Sequence, residues 1–506
     1  MADLSLSALR RDGEAFMEAL TREQHLALAG YKPVAELRPI YERFAHVLGP
    51  GALELTRDVF RGAAEGTDEW RSARALLNWE VESHASRALA ELDERIIAWE
   101  VGAVVRLADG REVPYQRAAV ELSTQTDRDE RIALDDARSA LVERELAPMR
   151  SERLQRERDL IESLEIAPDY IASFASLSGI DVRALAGECE RFLRDTAAMW
   201  TEVHGHAVRR QLGIAPGEAT RADALFLLRA PRFDPYFPAA EMEPAVRRQV
   251  TEMAIDPTAN GRAIYDLAPR PGKRSRAFCA PVRIPREVHL VLLPYGGATD
   301  YRTFLHELGH TLHFAHMRED LPFEFRWLGD NSITEGYAML FDHLMHDPGW
   351  LHRYSALGKG RIREYRRAAA LEELQFLRRY CAKLLYELRL YGGDVPWSSL
   401  PDAYVDMLGS ATLFQYRTAD AFVDVDPRFY SARYLRAWQL QAALRERLVT
   451  MFDEDWFRNP RTGPWVVREL FAEGQRELAS ELAARVGANP LSFDPVVRAI
   501  EAGLSA

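Results

Sequence analysis

The chain has 506 residues, 47% of them hydrophobic and 28% charged, with a formal net charge of −12. This length and composition suit a soluble globular protein whose core is shared between two lobes. The acidic balance argues against a nucleic-acid or anionic-membrane partner, because phosphate groups are bound by basic surfaces, and no stretch reaches the roughly 18 apolar residues of a membrane span.

The start, Met1-Ala2-Asp3-Leu4-Ser5, lacks a basic region followed by an apolar run, so no secretory leader and a cytoplasmic location are expected. Residues 1 to about 100 read as amphipathic helices. Residues 101–122 read as a β-hairpin turning at Asp109-Gly110. Residues 128–166 are dense in Arg and Glu and predict a helix with a solvated, ion-paired face. Turn-rich breaks follow at Ala215-Pro216-Gly217 and around Pro231 and Pro235. The expected organisation is an N-terminal helical lobe over residues 1–200 and a second lobe over residues 201–506. Cys189, Cys279 and Cys381 are widely separated and odd in number, so they predict buried small hydrophobes rather than a disulfide framework or a zinc cluster.

Residues 269–274 form a basic turn. Residues 288–293 are short, apolar and β-branched, the clearest strand in the chain. An extended backbone can be held by strand addition at a sheet edge, and this strand is expected to be such an edge. It leads into His306-Glu307-Leu308-Gly309-His310, an H-E-x-x-H pattern within a helical stretch. Residues four apart on a helix share a face, so His306 and His310 can hold one Zn²⁺ while Glu307 takes a proton from the water it activates. Leu305, Leu308, Leu312 and Ala315 form the opposite, apolar stripe. Residues 361–412 and 428–485 return to helix.

A catalytic zinc needs a third protein ligand. Glu335 is preferred, because it begins a second predicted helix that can pack across the first. Asp330, in a turn, and His316, at the metzincin spacing but without the helix-breaking glycine of that class, are the alternatives. His313 is expected in the core or behind the ligands, and Asp342 and Asp300 are the carboxylates expected to orient the imidazoles.

Four segments resemble the M3 family of zinc oligopeptidases, the group that includes thimet oligopeptidase and oligoendopeptidase F. They are residues 304–313 with Glu335, residues 265–279, residues 429–438 with Tyr430 and Tyr434, and more weakly residues 457–463. The resemblance implies a mainly α-helical, two-lobed bowl around a deep channel, with a small β-sheet beside the zinc helix. It implies one Zn²⁺ held by His306, His310 and Glu335, with short peptides as substrates. It also implies a tyrosine hydroxyl for the oxyanion, with Tyr434 preferred and Tyr430 as the alternative. The family's Gly-rich loop and histidine ahead of these tyrosines are replaced here by Phe422-Val423-Asp424-Val425-Asp426-Pro427-Arg428. The competing readings are a metallocarboxypeptidase, with Arg433 or Arg436 gripping the terminal carboxylate, and a non-catalytic helical protein that binds zinc.

Overall fold

The computed structural model describes residues 4–506 and is mainly helical, with 70% helix and 5% strand. Its contacts divide the chain into two units. The first comprises Met1–His84, Pro231–Arg366 and Arg436–Val496; the second comprises Ala85–Ala230, Arg367–Leu435 and Val497–Ala506. Each unit is assembled from segments far apart in the chain, so the division follows packing rather than a single cut near residue 200. Among the described residues, no helix is long and apolar enough to cross a membrane.

The second unit contains the expected hairpin. Strands β1 (Val104–Arg106) and β2 (Glu112–Pro114) pair antiparallel with Val105 opposite Val113. Gly110 adopts φ +90°, the left-handed conformation that glycine tolerates at a tight turn. The charged stretch that follows is helical, as expected, but not wholly solvated. It runs as Arg128–Leu141, a π-helical turn at Val142–Leu146, and Ala147–Ser163. The irregular turn lies just before Pro148, whose ring crowds the carbonyl four residues earlier, that of Arg144 within the turn, and which has no amide hydrogen to donate to it. Several charges on this stretch face inward. Arg131 is 1% exposed and donates to Asp223 at 2.9 Å, while Arg153 donates to fully buried Glu157 at 3.1 Å. Buried charges persist when they are paired and hydrogen-bonded, so the composition here reports internal ion pairs as well as surface.

The first unit holds a three-stranded sheet of β3 (Ala263–Asp266), β4 (Phe278–Arg283) and β5 (Glu287–Val291), in the order β3-β5-β4. β3 pairs parallel to β5 with Ala263 opposite Val288; β4 pairs antiparallel with Phe278 opposite Val291. The strand expected at the edge is therefore the central one. Val288 and Leu290 are buried and alternate with half-buried Glu287 and His289, and the central place follows from β3 and β4 pairing on its two sides rather than from this pattern. β4 is an outer strand, and its register shifts between Pro281 and Arg283, as suits a residue with no amide hydrogen to share.

Helix Ala298–His316, the motif helix, packs on this sheet. Its predicted stripe of Leu305, Leu308, Leu312 and Ala315 is fully buried, together with Phe304. Burial of each leucine contributes about 1.5–3 kcal/mol relative to exposure, an upper bound because unfolded chains are already partly collapsed. This stripe anchors the helix and leaves the turn bearing His306 and His310 on the other side.

Candidate metal centre

The motif helix begins after Gly296 and Gly297, at φ +86° and +96°. There the Asp300 carboxylate accepts hydrogen bonds from the Tyr295 and Gly296 amides at 2.7 and 2.8 Å. Asp300 thus closes the turn before the helix and does not orient a histidine. The second helix, Asn331–Asp342, is capped by Asp330, whose carboxylate accepts from Ser332 N and Ala479 N, both at 2.9 Å. That role accounts for Asp330 and removes it from the ligand set. His316 is also accounted for: its Nδ1 donates to the Leu312 carbonyl at 2.8 Å on its own helix.

The two helices meet at Gly309. A Cβ there would lie 2.6 Å from Ala338 Cα and 2.7 Å from the Tyr337 carbonyl, both backbone atoms of the facing helix. Only the absence of a side chain permits this approach. Gly336 makes a comparable allowance for Leu440, whose side chain would lie 2.8 Å from an added Cβ. This close crossing carries Glu335 to the histidines.

Glu335 Oε2 lies 3.5 Å from His306 Nε2 and 3.8 Å from His310 Nε2. The three donor atoms all fall within 4.8 Å of one another. Each imidazole is held from behind. His306 Nδ1 is 2.9 Å from Asp342 Oδ2, and His310 Nδ1 is 2.8 Å from Thr334 Oγ1. With Nδ1–H donated to these oxygens, each Nε2 is directed at Glu335 and can ligate a metal once it carries no proton. Asp342 therefore takes the orienting role read from the sequence. Thr334 was not read there, although its place immediately before the candidate carboxylate was the available signal.

Burial works against a charged His306, but hydrogen bonds to Asp342 and Glu335 outweigh it and raise its pKa to about 10. Burial holds His310 below its ordinary value. The Asp342 carboxylate is kept well below the usual range despite its burial, by the imidazoles of His343 and His306. The pocket thus favours a positive charge between two carboxylates, which a divalent cation on neutral imidazoles would supply.

The donor set fits zinc. Ligands at about 2.0–2.1 Å in a tetrahedron lie roughly 3.3 Å apart, close to the two imidazole–carboxylate separations. Two nitrogens and one oxygen leave the fourth position open, as catalytic zinc sites require.

Glu307 sits between the histidines in sequence and is half-buried. Thr311, one turn on, donates to the Glu307 carbonyl at 2.7 Å and lies 3.5 Å from the Cys279 sulfur on β4. The outer strand therefore runs beside this turn of the motif helix. Burial pushes the Cys279 thiol well up, which leaves it inert. His313 is fully buried against Tyr337 and Phe471, with ring centroids at 4.8 and 5.8 Å. Burial lowers its pKa to about 3, so it is a neutral core histidine.

Tyr430 and Tyr434 begin helix Tyr430–Phe452, in the portion belonging to the second unit. Their rings lie 5.7 Å apart, and Tyr434 stacks on Tyr380 at 5.4 Å. The preceding segment, residues 422–428, is pinned by carboxylates. Asp424 accepts from Arg379 and from the Tyr404 hydroxyl, and Asp426 accepts from Lys383 at 2.6 Å. Arg428 and Phe429 both adopt positive φ, at 55° and 48°, in this segment. Phe429 is fully buried against Phe174 and Tyr391, and such packing is what can hold a non-glycine residue in that conformation. Arg433 lies over the Phe174 ring, and Arg436 donates to Gln439 at 2.7 Å.

No protein-family model matches the chain, and no curated protein matches it.

Proposed function

We propose that the protein is a zinc-dependent peptidase that hydrolyses short peptides, of the oligopeptidase type. One observation supports this most: two helices bring His306, His310 and Glu335 within ligating distance of one another, with the unclaimed acid Glu307 on the same turn. A protein that merely stored zinc would have no use for that acid. The resemblance in four segments supports peptides as the substrate and, as part of the same proposal, a two-lobed bowl with a central channel.

His306, His310 and Glu335 would hold the zinc, which when bound would supply Lewis acidity and bring the pKa of a water toward ~7. Glu307 accepts the proton of the attacking water and returns it to the leaving amine, a role for which a half-buried carboxylate beside the ligands is suited. Asp342 and Thr334 keep the imidazoles in the ligating tautomer. The hydroxyl of Tyr434, or of Tyr430, donates to the oxyanion of the tetrahedral intermediate. β4, an outer strand beside the Glu307 turn, is the natural place for an extended substrate to add as a further strand.

The decisive experiment digests a mixed peptide library and reads the products by mass spectrometry, with chelator, without chelator, and with zinc restored. Zinc-dependent internal cleavage, including of peptides with blocked C-termini, supports the proposal. Loss of cleavage on C-terminal blocking points to a carboxypeptidase. Absence of hydrolysis by the zinc-loaded protein refutes it.

A further inference from the structure

We propose that His343 is a positioning residue for the metal centre: it holds the Asp342 carboxylate in the orientation that fixes His306. The proposal rests on the reading of His306 as a ligand. Asp342 is shared between two imidazoles. Its Oδ2 faces His306 Nδ1 at 2.9 Å, and its Oδ1 faces His343 Nδ1 at 2.6 Å.

The tautomer of His343 follows from its partners. Its Nδ1 also lies 2.8 Å from the Met339 carbonyl oxygen. A carbonyl and a carboxylate are both acceptors, so Nδ1 must carry the hydrogen and share it between them. His343 is therefore a donor to Asp342, as His306 is. The ring plane of His343 is set independently, by stacking on His346 at 5.2 Å and by the perpendicular face of Trp438 at 6.2 Å. The Asp342 and His343 side chains are each only 13% exposed, so water is poorly placed to replace either bond.

The physical consequence is geometric. A carboxylate held at one oxygen can swing about its side-chain bond; held at both, it presents a fixed lone pair to His306. The order along the chain of contacts is His343, Asp342, His306, then the cation. Carboxylates that orient ligating histidines typically contribute about 10–100-fold to metal affinity. A group one bond further out should contribute less, about threefold to tenfold.

The test compares two substitutions. His343→Phe keeps an aromatic ring between His346 and Trp438 but removes the donor. His343→Asn removes the ring but can place an amide N–H where Nδ1–H stands. Zinc affinity is measured by chelator competition on the full chain. The cobalt-substituted protein provides a visible spectrum that reports ligand geometry. We expect His343→Phe to bind zinc about threefold to tenfold more weakly with an altered cobalt spectrum, and His343→Asn to stay within about threefold of the parent. In the Asp342→Asn background, His343→Phe should add no further loss, because the two residues act in series. Wild-type affinity in His343→Phe, or equal weakening in both variants, overturns the assignment. A parent protein that binds no zinc refutes the metal reading itself, a result distinguishable from either.

Discussion

Gly309→Ala tests how the site is built. The added Cβ would lie 2.6 Å from Ala338 Cα, 2.7 Å from the Tyr337 carbonyl and 2.9 Å from Ala338 N. Carbon contacts settle at about 3.5–4.0 Å, and none of these neighbours can rotate away, so the two helices must part by roughly 1 Å. The strain costs about 1–3 kcal/mol, partly offset by the helix preference of alanine over glycine, worth up to about 1 kcal/mol. Glu335 rides on the displaced helix, so the 3.5 and 3.8 Å separations to the imidazoles open as well. We expect zinc affinity to fall by at least tenfold, in line with other disturbances behind a ligand shell, which cost about 10–100-fold. Chelator competition measures the affinity, and calorimetry of the zinc-free protein measures the stability. Gly187→Ala is the control, because nothing lies within 4 Å of its Cβ position on helix Val182–Asp195. The argument is refuted if Gly309→Ala matches the parent in both zinc affinity and melting temperature.

Glu307→Gln should leave zinc stoichiometric and lower peptide hydrolysis by about 10²–10⁴-fold, the usual contribution of a general base; kinetics on a fluorogenic peptide alongside elemental analysis would check both halves. Glu335→Ala should lower zinc occupancy, and a full complement of zinc in that variant would return the third ligand to another group. Tyr434→Phe should lower kcat by about 10²–10³-fold with little change in KM, whereas an unchanged kcat transfers the role to Tyr430. The pH prediction concerns His306. Its pKa in the folded, zinc-free protein is raised from 6.5 to about 10, so its protonation stabilises that state fully below pH 6.5 and the contribution fades as pH rises toward 10. Zinc takes the proton's place, so the melting-temperature gap between zinc-loaded and zinc-free protein should widen from pH 6.5 to 10. Buried Glu387 is raised to about 8 and also titrates in this window, but it does so in both forms and cancels from the gap. A gap that stays constant across this range would contradict the assignment.

The legible and illegible parts of this protein separate by the range of the interaction. Helix periodicity is local: i,i+4 spacing places His306 and His310 on one face, and the apolar spacing of Leu305, Leu308, Leu312 and Ala315 marks the buried side. The β1–β2 hairpin was equally readable, since Asp109-Gly110 encodes its own turn. Strand order was not. The same apolar run that revealed β5 left open whether it lay at the edge or the centre, because that depends on which other strands arrive beside it. The charged helices misled for a related reason: an arginine looks the same in sequence whether it meets water or, like Arg131, a buried Asp223.

By itself the sequence determined the motif helix, its polar and apolar faces, and the short menu of carboxylates that could complete a cation site. The convergence of Glu335, rather than Asp330 or His316, on the two imidazoles, the Thr334 and Asp342 contacts behind the histidines, and the sharing of Asp342 with His343 appear only in the tertiary structure. The reason is physical: covalent geometry sets what lies within one turn, whereas the meeting of two helices depends on a close approach, here at Gly309, that exists only once the chain has packed.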